Sequence, residues 1–409
     1  MPVSVWGAMN NPRIAVTGAG VISAIGAGLA DFTAALWAGK SGIAASERLG
    51  GNAAGDIGDF NPAPWLGNKG VRILDRGTRF LCIASQMALA ETNLLQDPAG
   101  DGDPDLGMFS GTMFGGIHSI TAFDWVGQTD GPSLVSPMEF PNTVINAPAG
   151  QAAIKHKLRA VNSTVCCGLA SGLYAIDNAA WFLRFGRAKY LLAGGMEEVC
   201  EESALGFRTM GLASPTGNVQ PFGTARNGTA PGEGSAMWML ETEETARGRG
   251  MTPLFEVLGF GGAHDALGLT YNRRAEGATA AMEQALEMSA LAADAIACII
   301  ASANGSPVGD EMEARALRNV FGDRISGIPV CAPKASLGET MGSSGAMAAV
   351  IAGLALDKQE LPPTAGFSGT DTGLLLSALP QAFAGEYALI NAFSCDGNNA
   401  ALVIRKWTN

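Results

Sequence analysis

Apolar runs of strand length alternate with helix-length stretches along most of the chain. Strand candidates lie at 13–20, 106–112, 160–165 and 189–195, and a second series lies at 253–262, 295–302, 387–393 and 400–406. Helix candidates separate them, at 31–37, 80–95, 171–186, 278–292, 310–321 and 345–356. Strands that alternate with helices favour an α/β fold whose sheets are covered on both faces.

The order of elements is similar in two halves of the chain, although no sequence repeat links them. We therefore predict two units, at 1–250 and 251–409. The loop at 215–234, rich in Gly, Pro and Thr, is a candidate internal joint. The helix at 171–186 is apolar almost all round, which predicts that it lies deep in the core.

The segment GAGVIS (18–23) half-resembles a dinucleotide-binding fingerprint. Its sixth position is Ser23 rather than Gly, and no acidic residue follows at the required distance and context. A tight turn after the first strand is therefore the better interpretation.

Composition narrows the possible functions. Of the 409 residues, 47% are hydrophobic and 16% charged, which is typical of a well-buried globular protein. The net charge of −12 argues against binding to nucleic acid or to anionic membranes. The N-terminus has no signal-peptide pattern and the longest apolar run, 346–356, is too short to span a bilayer, so we expect a cytoplasmic protein.

The stretch VCCGLASGL (165–173) lies where a predicted strand gives way to a predicted helix. Such an elbow suits a nucleophile, because the free N–H groups of the first helical turn favour a developing negative charge. Cys166 and Cys167 are the nearest candidates. The seven cysteines are scattered and include no CxxC pair, which argues against disulfides and against a metal site.

Six segments, in order, resemble the β-ketoacyl-carrier-protein synthases of the thiolase superfamily. They are RIAVTGAGVISAIG (13–26), LAGGMEE (192–198), GTAPGEGSAMWMLE (228–241), ANGSPVGDEME (303–313), PKASLGETMGSSGA (333–346) and NAFSCDGNN (391–399). The resemblance implies a thiolase-like, five-layered αβαβα fold built from two similar halves, and a dimer. It implies no cofactor.

The family resemblance also implies a catalytic set of one Cys and two His. In that set a thiolate takes up the acyl chain, and imidazoles stabilise the enolate formed when malonyl loses carbon dioxide. Laid on this chain without gaps, the family patterns put Leu169 at the nucleophile position, and Ser302 and Glu339 at the two histidine positions. Around these positions, three residues of the chain agree with the family motifs: Ser171, Asp310 and Lys334. We call these three residues the frame.

The three histidines, at 118, 156 and 264, fall in neither histidine motif. Surface or packing roles suit His118 and His156 better than catalysis. Making Cys167 the nucleophile needs a two-residue shift that breaks the match at Ser171 and Gly172. Cys166 and Cys167 are therefore interpreted as small buried core residues.

A synthase-like chain without these catalytic residues resembles the chain-length factors, the ketosynthase β subunits of type II polyketide and aryl-polyene systems. The resemblance implies a heterodimer with an active ketosynthase, contact with acyl-carrier protein through that partner, and a role in shaping the acyl tunnel. By offset, the residues expected to set tunnel length are Phe114, Ile117, Ile120, Asp124, Met138 and Phe140. Ordinary dimer packing is the alternative for each of them.

The sequence is also compatible with two other functions. The chain could be an active acyltransferase or condensing enzyme that uses Cys166 or Cys167. It could also be a homodimeric scaffold that binds acyl-carrier protein without a catalytic partner.

Overall fold

The computed structural model describes residues 12–97 and 99–408 of the chain. In this described part the strands are β1 (Ile14–Ser23), β2 (Gly26–Ala27), β3 (Ala44–Ala45), β4 (Ala53–Ala54), β5 (Leu106–Gly111), β6 (Asn162–Val165), β7 (Tyr190–Glu197), β8 (Gly234–Thr242), β9 (Phe255–His264), β10 (Ile296–Ile300), β11 (Val330–Cys331), β12 (Glu360–Leu361), β13 (Gln381–Ala382), β14 (Tyr387–Phe393) and β15 (Asn398–Lys406).

The helices of the same ranges connect and cover these strands. They are α1 (Leu29–Trp37), α2 (Ala63–Leu66), α3 (Arg76–Glu91), α4 (Ile117–Thr129), α5 (Ala147–His156), α6 (Ser171–Arg184), α7 (Glu201–Thr209), α8 (Glu243–Gly248), α9 (Glu276–Met288), α10 (Pro307–Phe321), α11 (Lys334–Leu337) and α12 (Ser344–Lys358). No helix within the described ranges is long and apolar enough to cross a bilayer.

The main sheet has the strand order β11-β10-β14-β15-β9-β1-β8-β7-β5-β6. Its first-half strands are joined to its second-half strands where β1 pairs antiparallel with β9, with Val16 opposite Phe255. Within each half, parallel pairs lie next to antiparallel ones: β5 is parallel to β6 and β7, and β10 to β11 and β14. The sheet ends at β6 on one side, and this edge is near the candidate elbow.

Three hydrophobic clusters divide the molecule into layers. The central cluster joins α6 and α12 to both groups of strands, and outer clusters join α3 and α5 to the first group and α9 and α10 to the second. Successive side chains of a strand point to opposite faces of the sheet, so one strand can contribute to two clusters. In β8, Trp238 packs in the central cluster, while Met237 and Met239 pack in the outer one. The layers run helix, strand, helix, strand, helix.

The tight turn predicted at GAGVIS (18–23) is not formed. Strand β1 continues to Ser23 and pairs with β8 along its whole length. A Cβ at Gly20 would lie 2.0 Å from the carbonyl oxygen of Ala84 in α3. Glycine is needed here for the close contact between strand and helix rather than for a turn.

The helix predicted at 171–186 is confirmed as α6 and is buried along most of its length. Its C-terminal end differs from the prediction, because Phe182 and Phe185 are exposed. The sequence pattern missed several elements, among them α4, α5, α7 and β8. Helices α4 and α7 carry many exposed residues, so their apolar positions do not form a clear pattern.

The loop at 215–234 is not a linker between units. Its backbone N–H groups donate hydrogen bonds to carbonyl oxygens in the second half of the chain. The Gly228 N–H donates to Gly305 O at 2.9 Å, and the Gly232 N–H donates to Glu339 O at 2.8 Å. Both acceptors lie in the glycine-rich segments that carry Ser302 and Glu339. The loop therefore forms one wall of the candidate site.

Replacing Gly20 with alanine should destabilise the fold. The new methyl group would meet the backbone of α3, and overpacking of this kind costs about 2 kcal/mol of unfolding free energy. Urea denaturation of the purified chain measures the loss. Gly206→Ala is the control, because nothing lies within 4 Å of its Cβ position in α7, so alanine should be neutral or stabilising there. Equal stabilities for the two variants would contradict the packing argument.

Candidate functional site

The elbow predicted from the sequence is present between the end of β6 and the start of α6. Ser171 organises it: its hydroxyl accepts the Cys167 N–H at 2.8 Å and lies 2.6 Å from Gly168 O. Gly168 has a φ of 56°, and a Cβ there would lie 2.2 Å from a carboxylate oxygen of Asp396. Ser171 thus holds the backbone in a tight turn just before α6.

Leu169 occupies the centre of this turn and is 3% exposed. Its N–H donates to the Ser394 hydroxyl at 3.2 Å. Its side chain belongs to an apolar cluster, which we call the Leu169 cluster, of Leu49, Ala54, Leu169, Val199, Ala204, Phe207 and Met341, with Met113, Phe114, Leu212 and Ala213 packed against it. Side-chain packing therefore fills the space beside the elbow.

The two neighbouring cysteines are not core residues, and that prediction was wrong. Cys166 is exposed and Cys167 is half-buried, because they follow the edge strand β6, whose outer side has no strand against it in the described part of the chain. Partial burial raises the pKa of both thiols, and the charge of Asp396 adds to that rise. Glu197 raises the pKa of Cys166 further.

Ser302 lies just after β10 and joins two strands. Its hydroxyl accepts the Phe393 N–H at 2.8 Å, and its own N–H donates to Glu313 Oε1 at 2.9 Å. The side chain is buried. Ser302 therefore links β10, β14 and α10.

Glu339 is fully buried and forms an ion pair with the retained Lys334. Its Oε2 lies 2.7 Å from Lys334 Nζ and accepts the Asn304 side-chain amide at 2.8 Å. Its Oε1 accepts the Met341 N–H at 3.3 Å. All three named partners donate hydrogen bonds, so both carboxylate oxygens act as acceptors.

The retained Asp310 supports the loop that carries Ser302. Its carboxylate accepts backbone N–H groups of Asn304 at 3.0 Å, Gly305 at 3.2 Å and Phe222 at 2.7 Å. Burial raises the pKa of Asp310 to about 7, against the lowering effect of these donors. Phe222 has a φ of 57°, a conformation unusual for a bulky residue. Asp310 thus fixes a strained part of the 215–234 loop against the second half.

The structure brings together the three positions that the family resemblance assigns to catalysis, Leu169, Ser302 and Glu339. Leu169 and Ser302 both bond to the end of β14, at Ser394 and Phe393. Glu339 leads into Met341, which packs in the Leu169 cluster. The sequence predicted this meeting through the family resemblance alone.

Sequence reasoning missed Glu197, the last residue of β7. Its buried carboxylate accepts four hydrogen bonds: from the Thr112 hydroxyl at 3.0 Å and from the backbone N–H groups of Met113 at 2.6 Å, Phe114 at 3.2 Å and Gly342 at 3.0 Å. Burial raises its pKa to about 7. The available signal was a charged residue directly after the apolar run LLAGGM.

The proposed tunnel residues lie mostly on the surface of the single chain. Phe114 packs against the Leu169 cluster. Ile117, Ile120 and Asp124 lie on α4, a helix with no fully buried residue. Met138 and Phe140 are 70% and 59% exposed. Only Phe114 among the six therefore approaches the elbow within this chain.

The histidines have the roles expected of surface and packing residues. His118 is exposed with Nδ1 3.2 Å from Glu202 Oε1. His156 is buried with Nε2 2.9 Å from Cys82 O, and burial lowers its pKa to about 4. His264 is an exposed residue at the end of β9. Among the described residues, no group of three or more His, Cys, Asp or Glu side chains could hold a metal ion.

Comparison with known proteins gives consistent matches over nearly the whole chain. Residues 11–246 match the family described as Beta-ketoacyl synthase, N-terminal domain, and residues 254–368 match Beta-ketoacyl synthase, C-terminal domain. A curated relative, the 3-oxoacyl-[acyl-carrier-protein] synthase 2 of Coxiella burnetii, is 30% identical across 97% of this chain and 99% of its own length.

Solved structures agree with these matches. A chain of the ishigamide ketosynthase/chain length factor superposes with a TM-score of 0.90 at 27% identity, over 97% of this chain and 100% of that chain. A β-ketoacyl synthase of Burkholderia phymatum gives 0.89 at 26% identity with the same coverage. The predicted thiolase-like fold is confirmed.

Breaking the Lys334–Glu339 pair should destabilise the chain strongly. Lys334→Met leaves a buried carboxylate without its counter-charge, which costs about 3–5 kcal/mol of unfolding free energy. Adding Glu339→Gln should restore much of the loss, because the amide carries no charge. Chemical denaturation at pH 7 measures both variants.

The control for this experiment is Arg247→Met, which breaks an exposed ion pair with Glu243 within α8. Exposed pairs contribute less than about 1 kcal/mol. A Lys334→Met loss no larger than the control, or a double variant no more stable than the single one, would show that the buried pair is not a charge-balanced unit.

Proposed function

Since the chain belongs to the β-ketoacyl synthase family, we propose that it is a non-condensing subunit of the chain-length-factor type. In this role it pairs with an active β-ketoacyl-carrier-protein synthase and shapes the tunnel that holds the growing acyl chain. One observation carries the proposal. Leu169, Ser302 and Glu339, at the positions that the family resemblance assigns to the thiol and the imidazoles, are buried and engaged in packing or hydrogen bonding.

None of the three side chains can perform the chemistry of its position. Leu169 offers no nucleophile. The Ser302 hydroxyl is engaged with the backbone of Phe393. Glu339 forms an ion pair with Lys334, and a carboxylate in such a pair accepts hydrogen bonds and gives none to a developing enolate.

The surface of the chain supports a protein partner. Strand β6 is at the end of the main sheet, and the residues before it expose several large apolar side chains. We call these the 125–154 surface: Trp125, Leu134, Met138, Phe140, Val144, Ile145 and Ile154. Apolar side chains concentrated in this way are typical of protein interfaces, and an open sheet edge can be paired by a second chain.

The comparisons support the same assignment in part. The ishigamide structure, whose printed name includes a chain length factor, resembles this chain at 27% identity. The curated relative from Coxiella burnetii is named as a synthase. We assign this chain to the non-condensing side of the family because of its residues at 169, 302 and 339.

The alternative of an active enzyme that uses Cys166 or Cys167 has little support in the site. The pKa of each thiol is raised, whereas an activated nucleophile needs it lowered. The Asp396 carboxylate contributes to the rise of the pKa at both thiols, and Glu197 contributes to the rise at Cys166. Mass mapping after brief iodoacetamide treatment of the native chain tests this alternative, which requires one cysteine to react far faster than a denatured control.

The decisive experiment compares condensation by the chain alone, by its partner synthase alone, and by the complex. We expect no product from malonyl- and acyl-carrier-protein substrates with this chain alone, and products of defined length from the complex. Condensation by the isolated chain would overturn the proposal. A stable homodimer that binds acyl-carrier protein but never the synthase would favour the scaffold function instead.

Tunnel length should respond to two residues of the nominated set. Phe114→Ala or Ile120→Ala removes a side chain next to the segment that follows β5, so a longer acyl chain fits and products lengthen by about one or two extension units. Mass spectrometry of products made with the partner synthase measures the change. Leu379→Ala, at an exposed site in the second half, should leave the products unchanged. If neither variant alters the product distribution, the tunnel assignment is wrong.

A further inference from the structure

The backbone N–H groups of the elbow before α6 are the donors that a negatively charged group would need there. Three of them are engaged inside the elbow: Cys167 donates to Ser171 Oγ at 2.8 Å, Ala170 to Cys167 O at 3.1 Å, and Ser171 to Gly168 O at 3.3 Å. The Leu169 N–H donates outside the elbow, to the Ser394 hydroxyl at 3.2 Å. The donor at the centre of the elbow is therefore occupied by a residue 225 positions further along the chain.

Ser394 is the first residue of the turn that joins β14 to β15, and this turn is held from several sides. The Ser394 N–H donates to Asn398 O at 2.9 Å, and the Gly397 N–H donates to Ser394 O at 3.1 Å. The preceding residue, Phe393, is fixed by Ser302, whose hydroxyl accepts its N–H at 2.8 Å. Because Ser394 is only 2% exposed, its hydroxyl is held against the elbow rather than turned towards solvent.

The same turn brings a carboxylate to the elbow. A Cβ at Gly168 would overlap both the Ser394 hydroxyl and the Asp396 carboxylate, so the turn packs directly on the elbow backbone. Burial is the main cause that raises the pKa of the Cys166 and Cys167 thiols, and the charge of Asp396 adds to the rise. Negative charge at this distance opposes the formation of a thiolate or of an oxyanion at the elbow.

We propose that the turn at 394–397, which we call the 394–397 plug, blocks the elbow of this chain against acyl thioesters. Ser394 occupies the Leu169 N–H, and Asp396 places negative charge beside it. The inference rests on the proposed function and deepens it, because a subunit that only shapes its partner's tunnel has no use for an acyl group at its own elbow. The missing thiol is then one of two blocks, and the plug is the other.

Acyl transfer to a thiol at position 169 would need the donor that the plug occupies. The sulfur attacks the thioester carbonyl and forms a new carbon–sulfur bond, and the carbonyl oxygen becomes an oxyanion. When the oxyanion collapses, the original carbon–sulfur bond breaks, and the departing thiolate takes up the proton that the attacking thiol has lost. A backbone N–H beside the nucleophile stabilises the oxyanion in such reactions. In this chain that N–H is already donated to Ser394.

The test introduces a thiol at the elbow and then removes each part of the 394–397 plug. In a background with Cys166→Ala and Cys167→Ala, Leu169→Cys provides a single elbow thiol, to which Ser394→Ala or Asp396→Asn is added. Acetyl transfer from the N-acetylcysteamine thioester and alkylation by iodoacetamide are both followed at pH 7 by peptide mass mapping. The two reagents are compared because alkylation forms no oxyanion.

We expect Ser394→Ala to speed acetyl transfer by about a hundredfold, with a much smaller effect on alkylation, because it frees a donor for the oxyanion. Ser394→Gly also lacks the hydroxyl and should give the same gain. Asp396→Asn should speed both reactions, because loss of the negative charge lowers the pKa of the thiol. Its amide oxygen can still accept the Asn398 N–H. The control is Ser326→Ala, at an exposed position, which should change neither rate.

Two outcomes would overturn the proposal. One is acetyl transfer that is equally fast, or equally absent, with and without the Ser394 hydroxyl. The other is a gain from Ser394→Ala that is the same for both reagents, which would show that only access to the thiol had changed. Melting temperatures confirm that the variants are folded. The proposed function fails separately, if the unaltered chain condenses malonyl and acyl substrates by itself.

Discussion

The site depends on the hydrogen bonds that the buried carboxylate of Glu197 accepts. It lies at the end of a first-half strand, yet it binds Met113 and Phe114 after β5 and also the Gly342 backbone of the second half. Four hydrogen bonds to one buried carboxylate hold the two glycine-rich loops at a fixed distance from the elbow. Without this acceptor the loops would present unpaired N–H groups to an apolar interior, which is expensive.

The frame of the site and its chemical groups are separable in this molecule. Ser171, Asp310 and Lys334 have structural partners that do not depend on catalysis: the elbow backbone, the Ser302 loop and Glu339. Under the proposed function, the chain keeps the family's fold while side chains that pack or form hydrogen bonds lie at the positions that the resemblance assigns to catalysis. At position 339 the buried carboxylate forms an ion pair with Lys334.

Much of the fold was predictable from the sequence because buried strands and helices have strong periodicity. The elements β1, β7, α6 and α12 are predicted within a few residues of their ends. The exceptions have physical causes: the glycines of β1 serve a helix contact rather than a turn, and α4 lacks a buried face of its own. The cysteines were misplaced because burial depends on β6 being at the edge of the sheet, which no local pattern reveals.

The candidate site was predictable only in its positions. The family resemblance located Leu169, Ser302 and Glu339, but their partners come from distant parts of the chain. Asn304 and Ser394 have nothing in their local sequence that indicates a contact with Glu339 or Leu169. The role of Glu197 could not be predicted either, because it depends on which loops meet at the end of β7.

The open edge of β6 has a consequence for how the chain must be made. Unpaired strand edges next to exposed aromatic and aliphatic side chains are templates for fibrillar self-association. In the proposed heterodimer the partner synthase would cover this edge. A chain made in excess over that partner would keep the edge exposed and would therefore be prone to aggregate.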